Sequence, residues 1–268
     1  MRLSFVALLV SAAAAPAVAQ TAAPAPAQKI VPSKIILVGD STTAVVGGWG
    51  PSFCADHVTS FLACVNLARG GRSSGSYRAE GSWDVALAEM RTPGYKDIWV
   101  TIQFGHNDQP GKPGRSTDLA TEFPANLARY VDEARAAGAK PILVTPLTRR
   151  IFVDGKLQDD LEPWAAAVRK VAAEKKVPLI DLHAESRAAV AAMGEAEADR
   201  FAQVPKGAVV ADTIAPPSLT EVQDLPWGQR KLSFDRTHLG RTGADYFARM
   251  VALELAEAVP AMRPVLLP

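Results

Sequence analysis

The stretch DIWVTIQF at residues 97–104 predicts a central β-strand, and the polar run Gly105-His106-Asn107-Asp108 follows it directly. Its β-branched and aromatic residues favour an extended chain. A nearly continuous apolar run is typical of a strand buried on both faces, as in parallel sheets that helices cover on two sides. The stretch therefore indicates an α/β protein with a polar loop at the carboxyl end of a strand.

Shorter apolar runs on either side of this strand alternate with helical patterns. We predict strands at 35–38, 65–68, 142–145 and 177–182, and helices at 51–63, 82–90, 119–137, 161–176, 184–200 and 243–258. Asp154-Gly155 predicts the turn of a small hairpin, and residues 221–234 look irregular. Repeated β–α units predict a flavodoxin-like three-layer α/β/α sandwich with a five-stranded parallel sheet. Sites in such folds lie at the carboxyl ends of the strands.

The composition is that of a folded domain. Of 268 residues, 48% are hydrophobic and 21% are charged, which excludes a disordered chain and suffices for one well-packed core. The 29 basic and 28 acidic residues nearly cancel, so a nucleic-acid partner is not expected. Neither the two cysteines nor the four histidines show a metal-binding spacing, and we expect no metal.

The first residues predict a signal peptide over 1–19. Arg2 precedes an apolar run, and Ala17-Val18-Ala19 is typical of a cleavage site. A membrane anchor is the alternative, but the run is too short and Pro16 interrupts it. Residues 20–28 predict an Ala/Pro linker and residues 29–268 a single domain. We expect an exported protein, periplasmic or secreted, without a membrane span.

Export would place Cys54 and Cys64 in an oxidising compartment. The two residues lie ten positions apart, across a predicted helix and into the next strand. A disulfide and a pair of buried free thiols both remain open.

Unusual polar residues stand at four predicted strand ends or loops. The topology places three of these at one edge of the sheet, and the last can reach the same edge. Ser41 has the place of an exposed nucleophile, and a serine needs a histidine base that a carboxylate orients. Asp235 and His238 lie three residues apart, which one helical turn places on the same face. Gly71 offers a backbone N–H and Asn107 an amide N–H to an oxyanion. Each feature is common by itself.

Together, the blocks resemble those of the SGNH (GDSL) hydrolase superfamily, in that family's order, over residues 35–257. The strings VGDSTTA, GGWGPSF, NLARGGRSSGSY, QFGHNDQ and TPLTRR are similar to the rhamnogalacturonan acetylesterase group, carbohydrate esterase family 12. The resemblance implies Ser41 as nucleophile with Asp235 and His238. It also implies an oxyanion hole of Ser41, Gly71 and Asn107, and no cofactor. One departure from the family is the long stretch 195–231.

The function implied is a secreted serine esterase that removes acetyl groups from a polysaccharide, rhamnogalacturonan first and acetylated xylan or another sugar second. We expect an acetylated polysaccharide or oligosaccharide as partner, and a monomer. Arg72, His106 and Arg149 are candidate substrate-binding residues, since arginine pairs well with uronate carboxylates. Surface charge or structural pairing is the alternative for Arg69, Arg72, Arg149 and Arg150.

Two other functions stay open. The same scaffold serves lipases and thioesterases. A carbohydrate-binding module without activity is the non-enzymatic alternative, with Trp49, Trp83 and Trp227 as residues that stack on sugars.

Overall fold

Five parallel strands form the central sheet of the computed structural model, which describes residues 29–207 and 233–268. The sheet order is β2-β1-β3-β4-β7, with β1 at Ser33–Gly39, β2 at Leu62–Asn66, β3 at Ile98–Gln103, β4 at Lys140–Val144 and β7 at Leu179–Ile180. This order confirms the predicted flavodoxin-like sheet. Gly39 of β1 lies opposite Gln103 of β3, so the loops that follow these two strands leave the sheet side by side.

Alternate residues of the buried strands pack into two separate hydrophobic cores, one on each face of the sheet, because successive side chains in a strand point to opposite faces. Ile35 and Leu37 pack with α1 (Gly50–Asp56), α6 (Leu182–Asp199) and α7 (Arg241–Ala258). Ile36 and Val38 face α2 (Ser76–Ala79), α3 (Ser82–Met90), α4 (Glu122–Ala136) and α5 (Glu162–Lys175). The three-layer sandwich is therefore confirmed.

A small antiparallel hairpin follows β4, as the Asp154-Gly155 pair predicts. Its strands are β5 (Phe152–Val153) and β6 (Lys156–Leu157). Asp154 and Gly155 both have positive φ, at 50° and 73°. These angles fit a two-residue hairpin turn, where Asp-Gly is a favoured pair.

The boundary between α1 and β2 differs from the prediction. The helix ends at Asp56 rather than near residue 63, and β2 begins at Leu62 rather than at residue 65. The C-terminal tail is the reason: Val58 forms an antiparallel bridge with Leu266, and the Leu267 N–H donates to the carbonyl of His57 at 2.9 Å. This long-range pairing holds residues 57–58 in extended form.

Other boundaries shift by a few residues. α4 begins at Glu122, after the Asp118 carboxylate accepts from the backbone N–H groups of Ala120 and Thr121, and Pro124 lies in its first turn as predicted. β7 is shorter than predicted because Asp181 caps the start of α6. Within α6, Gly194 has φ 76° and kinks the helix. The sequence analysis missed α2 and the C-terminal 3-10 turn Pro260–Val265.

A disulfide joins Cys54 of α1 to Cys64 of β2. The two cysteines are ten positions apart, on either side of the short loop 57–61 that connects the two elements. Of the two alternatives that the sequence left open, the structure has the bonded pair, and it ties the first helix to an edge strand of the sheet.

Four predictions concern residues that lie wholly or largely outside the described ranges. The signal peptide and the linker fall on residues 1–28. The irregular stretch 221–234 and the longer departure 195–231 fall largely on residues 208–232, although Glu195 and its neighbours belong to α6. Among the described residues, no helix combines the length and apolar character that a bilayer crossing needs.

Candidate active site

The turn after β1 places Ser41 at the carboxyl edge of the sheet. The Asp40 carboxylate accepts from the N–H and the hydroxyl of Thr42, both at 2.8 Å. The Gln103 amide of β3 donates to the Thr42 hydroxyl at 2.7 Å. This buried network fixes the turn against the neighbouring strand, so the Ser41 side chain is held in one place, 8% exposed.

Ser41, His238 and Asp235 form one hydrogen-bonded chain. The His238 Nε2 lies 2.9 Å from the Ser41 Oγ, and its Nδ1 lies 3.1 Å from the Asp235 Oδ2. A hydroxyl that donates to Nε2 requires the proton of a neutral imidazole to sit on Nδ1, where Asp235 accepts it. The site therefore has the nucleophile, base and orienting carboxylate that the sequence analysis paired.

A tight turn, rather than the predicted helical turn, produces the contact between Asp235 and His238. The Asp235 Oδ1 accepts from the N–H groups of Thr237 and His238, each at 2.7 Å, and α7 begins only at Arg241. Burial favours the neutral acid, but the hydrogen bonds and charge of His238 outweigh it and hold the pKa of Asp235 below its usual value. The carboxylate is therefore ionised at neutral pH.

A glycine backs the imidazole of His238. Gly47 has φ 87°, and its carbonyl accepts from the Leu239 N–H at 2.8 Å. A Cβ at this position would lie 3.2 Å from two carbon atoms of the His238 side chain. The loop between β1 and α1 thus packs directly against the base.

The loops that carry the predicted oxyanion donors Gly71 and Asn107 are bonded to each other, and the first of them passes close to Ser41. The Asn107 Nδ2 donates to the Arg72 carbonyl at 3.0 Å, which ties the loop after β3 to the loop after β2. A Cβ built on Gly70 would lie 3.7 Å from the Ser41 Cβ, and the next residue, Gly71, is buried with φ 78°. An asparagine amide has two N–H groups, so the Asn107 side chain keeps one for a further acceptor.

The Asp108 carboxylate holds the loop after β3 in place. Its carboxylate accepts from the N–H and hydroxyl of Ser74 and from the Thr117 hydroxyl, at 2.6–3.0 Å for Oδ1. Burial raises the pKa of Asp108 to about 6, although these hydrogen bonds oppose the rise. The group joins the loop after β2 to the loop after β3 and has no exposed atom, so it positions Asn107 rather than meeting a ligand.

The predicted substrate-binding residues all have protein partners. Arg72 pairs with Glu80 at 2.8 Å, Arg149 pairs with Asp160, and the His106 Nδ1 lies 3.3 Å from the Asp40 Oδ2. His106 is 3% exposed, and burial lowers its pKa against the attraction of Asp40. Structural pairing thus holds for both arginines, with Glu80 and Asp160 as the acids.

Arg150 is a residue whose role the sequence analysis missed. Its side chain is fully buried, and its guanidinium donates to the carbonyls of Asp235, Thr237 and His238 at 3.3, 3.3 and 2.7 Å. The Arg150 N–H donates to the Arg236 carbonyl at 2.8 Å. Burial lowers the pKa of Arg150 to about 10, so the group stays charged at neutral pH. Nothing in the local sequence distinguishes it from the exposed Arg69.

Two of the tryptophans considered for stacking on sugars lie in the hydrophobic core. Trp49 and Trp83 are 0% and 2% exposed. The Trp49 indole N–H donates to the Gln103 side chain, and that of Trp83 donates to Glu133. Stacking on a sugar by these two residues was therefore a wrong expectation, and Trp227 lies outside the described residues.

Among the described residues, one group of side chains has the spacing of metal ligands: Asp159, Glu162 and His183. The His183 Nε2 lies 2.8 Å from the Asp159 Oδ1. Arg187 already binds Asp159 at 2.6 Å, and Arg169 binds Glu162 at 2.7 Å. Two guanidiniums therefore neutralise the carboxylates, and the cluster is a network of ion pairs.

Comparison with known proteins identifies the family of the chain. The model of the GDSL-like lipase/acylhydrolase family matches residues 37–244. A probable rhamnogalacturonan acetylesterase of Bacillus subtilis is 31% identical over 84% of this chain and 93% of its own length. A second rhamnogalacturonan acetylesterase of that organism is 36% identical over 63% of this chain and 72% of its own.

Solved structures share the fold. Protein YXIM of Bacillus subtilis superposes with a TM-score of 0.63 at 23% identity, over 86% of this chain and 58% of that longer chain. An acetylxylan esterase of Geobacillus stearothermophilus gives 0.54 at 20% identity, over 85% of this chain and 96% of its own. By the family match and by its curated relatives, the chain belongs to the GDSL-like lipase/acylhydrolase family, the SGNH hydrolases, and is a carboxylic ester hydrolase.

Proposed function

We propose that this protein is a serine esterase that removes O-acetyl groups from acetylated rhamnogalacturonan. The observation that carries the proposal is the unbroken chain of hydrogen bonds from Asp235 through His238 to Ser41. The names of the two curated relatives support the substrate. Acetylated xylan is the other substrate to test.

The reaction begins at Ser41. As its Oγ attacks the acetyl carbonyl carbon, the His238 Nε2 takes the hydroxyl proton. The imidazolium that forms has an ionised Asp235 against its Nδ1, which stabilises the positive charge and keeps the ring oriented. The turn at Asp40 and Thr42 keeps the attacking oxygen in line with this base.

The negative charge that develops on the acetyl oxygen needs fixed donors. We assign this role to the N–H groups of Ser41 and Gly71 and to the free N–H of the Asn107 side chain. Donors that are already in place cost no reorganisation when the charge appears, and each typically contributes about 3–4 kcal/mol to the barrier reduction.

Collapse of the tetrahedral intermediate breaks the bond to the sugar oxygen, which leaves with the proton from His238. Water then attacks the acetyl-serine, again with His238 as base, and acetate leaves. Every proton taken is returned, so the serine and the histidine end in their starting states.

We further propose that the protein acts outside the cytoplasm as a monomer. The predicted signal peptide over 1–19 supports export. The Cys54–Cys64 disulfide supports it independently, because such bonds persist in oxidising compartments. Size-exclusion chromatography with light scattering tests the monomer, and the N-terminal sequence of the mature protein tests cleavage after Ala19.

The deciding experiment measures acetate release by the wild type and by Ser41→Ala. The substrates are acetylated rhamnogalacturonan, acetylated xylan and nitrophenyl acetate, with nitrophenyl octanoate as the test for a lipase. Release that Ser41→Ala abolishes, with rhamnogalacturonan ranked first, is the expected result. Release that persists in a folded Ser41→Ala protein contradicts the mechanism, and a higher rate on xylan or octanoate contradicts the substrate.

A further inference from the structure

Lys112 is a half-buried cation beside the candidate oxyanion residue. Its Nζ donates to the His106 carbonyl at 2.7 Å, and His106 directly precedes Asn107. In residues 29–207 and 233–268, no carboxylate lies within 4.0 Å of this ammonium, and its one protein acceptor is a neutral carbonyl. Two of its three N–H donors are therefore available to a ligand.

A second cation converges on the same oxygen. One terminal nitrogen of Arg149 lies 3.5 Å from the His106 carbonyl, while the other pairs with Asp160. Asp160 thus neutralises Arg149 and leaves the charge of Lys112 in excess. The nearest other acids, Asp40 and Asp108, are fully buried and bound to their own donors.

This arrangement destabilises the charged form of Lys112. Burial, and then the neighbouring charges of Arg149 and Arg115, lower the pKa of the Lys112 ammonium, while Asp40 and Asp108 oppose the shift only in part. A cation held in this way gains from an anionic partner, because the partner replaces the lost solvation and offsets the repulsion.

The sheet order places the loops that carry Ser41, Lys112 and Arg149 next to one another at the carboxyl edge. Ser41 follows β1, Lys112 lies in the loop after β3, and Arg149 follows β4, and these strands are neighbours. Adjacent strands are about 4.8 Å apart, so the carboxyl ends of β1 and β4 lie about 10 Å apart. A sugar chain of a few residues that reaches Ser41 can therefore extend along this edge toward Lys112.

We propose that Lys112 binds the carboxylate of a hexuronate residue while an acetyl ester of the same acidic chain lies at Ser41. The inference rests on the proposed function and extends it by assigning the substrate's acid group to a named site. An ammonium and a carboxylate form short, charge-assisted hydrogen bonds, which give an acidic polymer an advantage over a neutral one.

The test compares Lys112→Met with the wild type on two substrates of matched length. One is an acetylated galacturonate-containing oligosaccharide, and the other is the same oligosaccharide with its carboxyl groups reduced to neutral alcohols. We expect the ratio of kcat/KM, acidic over neutral, to fall about tenfold in Lys112→Met, mainly through KM. Lys170→Met, on the exposed face of α5, is the matched control and should keep the wild-type ratio.

Inhibition gives a second readout that needs no polymer. Galacturonate should inhibit nitrophenyl acetate hydrolysis by the wild type more strongly than galactose does, and Lys112→Met should remove that difference. An unchanged substrate ratio and unchanged inhibition in a folded variant overturn the uronate site while leaving the esterase intact. A wild type without esterase activity on any ester overturns the proposed function and this inference together.

Discussion

The guanidinium of Arg150 donates to the carbonyl oxygen of His238 at 2.7 Å, from a position with no exposed surface. The same side chain reaches the carbonyls of Asp235 and Thr237, so one residue from the loop after β4 holds the whole turn that carries the base. Backbone carbonyls, rather than a carboxylate, receive this buried charge. The arrangement fixes the position of the imidazole without binding the Asp235 side chain, which stays free to orient His238.

Replacing Arg150 should therefore affect turnover more than binding. In Arg150→Met three carbonyls lose their donor, and we expect kcat to fall about 10- to 100-fold, since small displacements of a catalytic group have effects of that size. KM should change little. Steady-state kinetics on nitrophenyl acetate, well below the melting temperature, measures both. Arg150→Lys keeps the charge and should be intermediate, whereas normal kcat with a lower melting temperature would assign Arg150 to stability alone.

Removal of the Asn107 amide should lower kcat without affecting the fold. Loss of one oxyanion donor typically costs about 100- to 1000-fold in turnover, and we expect Asn107→Ala to fall in that range. Gln158→Ala is the control, because that amide donates to the Lys156 carbonyl beside the β5–β6 hairpin and to none of the site residues. Equal rates in the two variants would remove Asn107 from the oxyanion hole.

Glu254 should make stability depend on pH. Burial, and then the charges of Glu185 and Asp181, raise the pKa of this α7 carboxyl to about 7 from 4.5. Between these values the folded protein holds a proton that the unfolded chain has lost, so stability falls as pH rises from about 4.5 to 7 and then levels off.

In Glu254→Gln this contribution to the pH dependence of the unfolding free energy is absent, and the variant should be more stable than the wild type above pH 7. At this half-buried site, screened by solvent, we expect a gain on the order of 1–2 kcal/mol that vanishes near pH 4. Urea unfolding at pH 4, 6 and 8 measures it, with Glu257→Gln on the exposed face of the same helix as control. A gain that is equal at all three pH values would refute the titration.

The disulfide should protect the connection between α1 and β2. A loop of about ten residues predicts a stabilisation of roughly 2–3 kcal/mol from the reduced entropy of the unfolded chain. The double variant Cys54→Ser, Cys64→Ser should have a free energy of unfolding that is lower by that amount, and its urea midpoint should fall accordingly. Intact mass after alkylation of the unreduced wild type gives the companion measurement, and two alkylated thiols would show that the bond is not formed.

The sequence predicted the layers well because its cues are local. The apolar run at 97–104 and the Asp154-Gly155 pair are short local signals, and the strand and the hairpin that they predict both formed. The end of α1 could not be predicted in this way, since Leu266 and Leu267, some 210 residues further along the chain, determine it.

The same distinction applies to the site. Ser41, Asn107, Asp235 and His238 stand in short motifs at strand ends, so their meeting at one edge follows from the topology. Arg150 and Lys112 carry no motif. Their roles depend on which backbone carbonyls the folded loops present to them, and this information exists only in three dimensions.

The hydrogen bond between His238 and Ser41 joins residues 197 positions apart. The ester-cleaving unit is thus assembled from both ends of the chain, and the sheet can form before the unit exists. A chain cut short between α6 and His238, or paused in synthesis there, would contain all five strands of the sheet and no base. Hydrolysis during refolding should consequently appear last, after the circular dichroism of the sheet and helices has recovered. The recovery of turnover then reports when the final helix has docked.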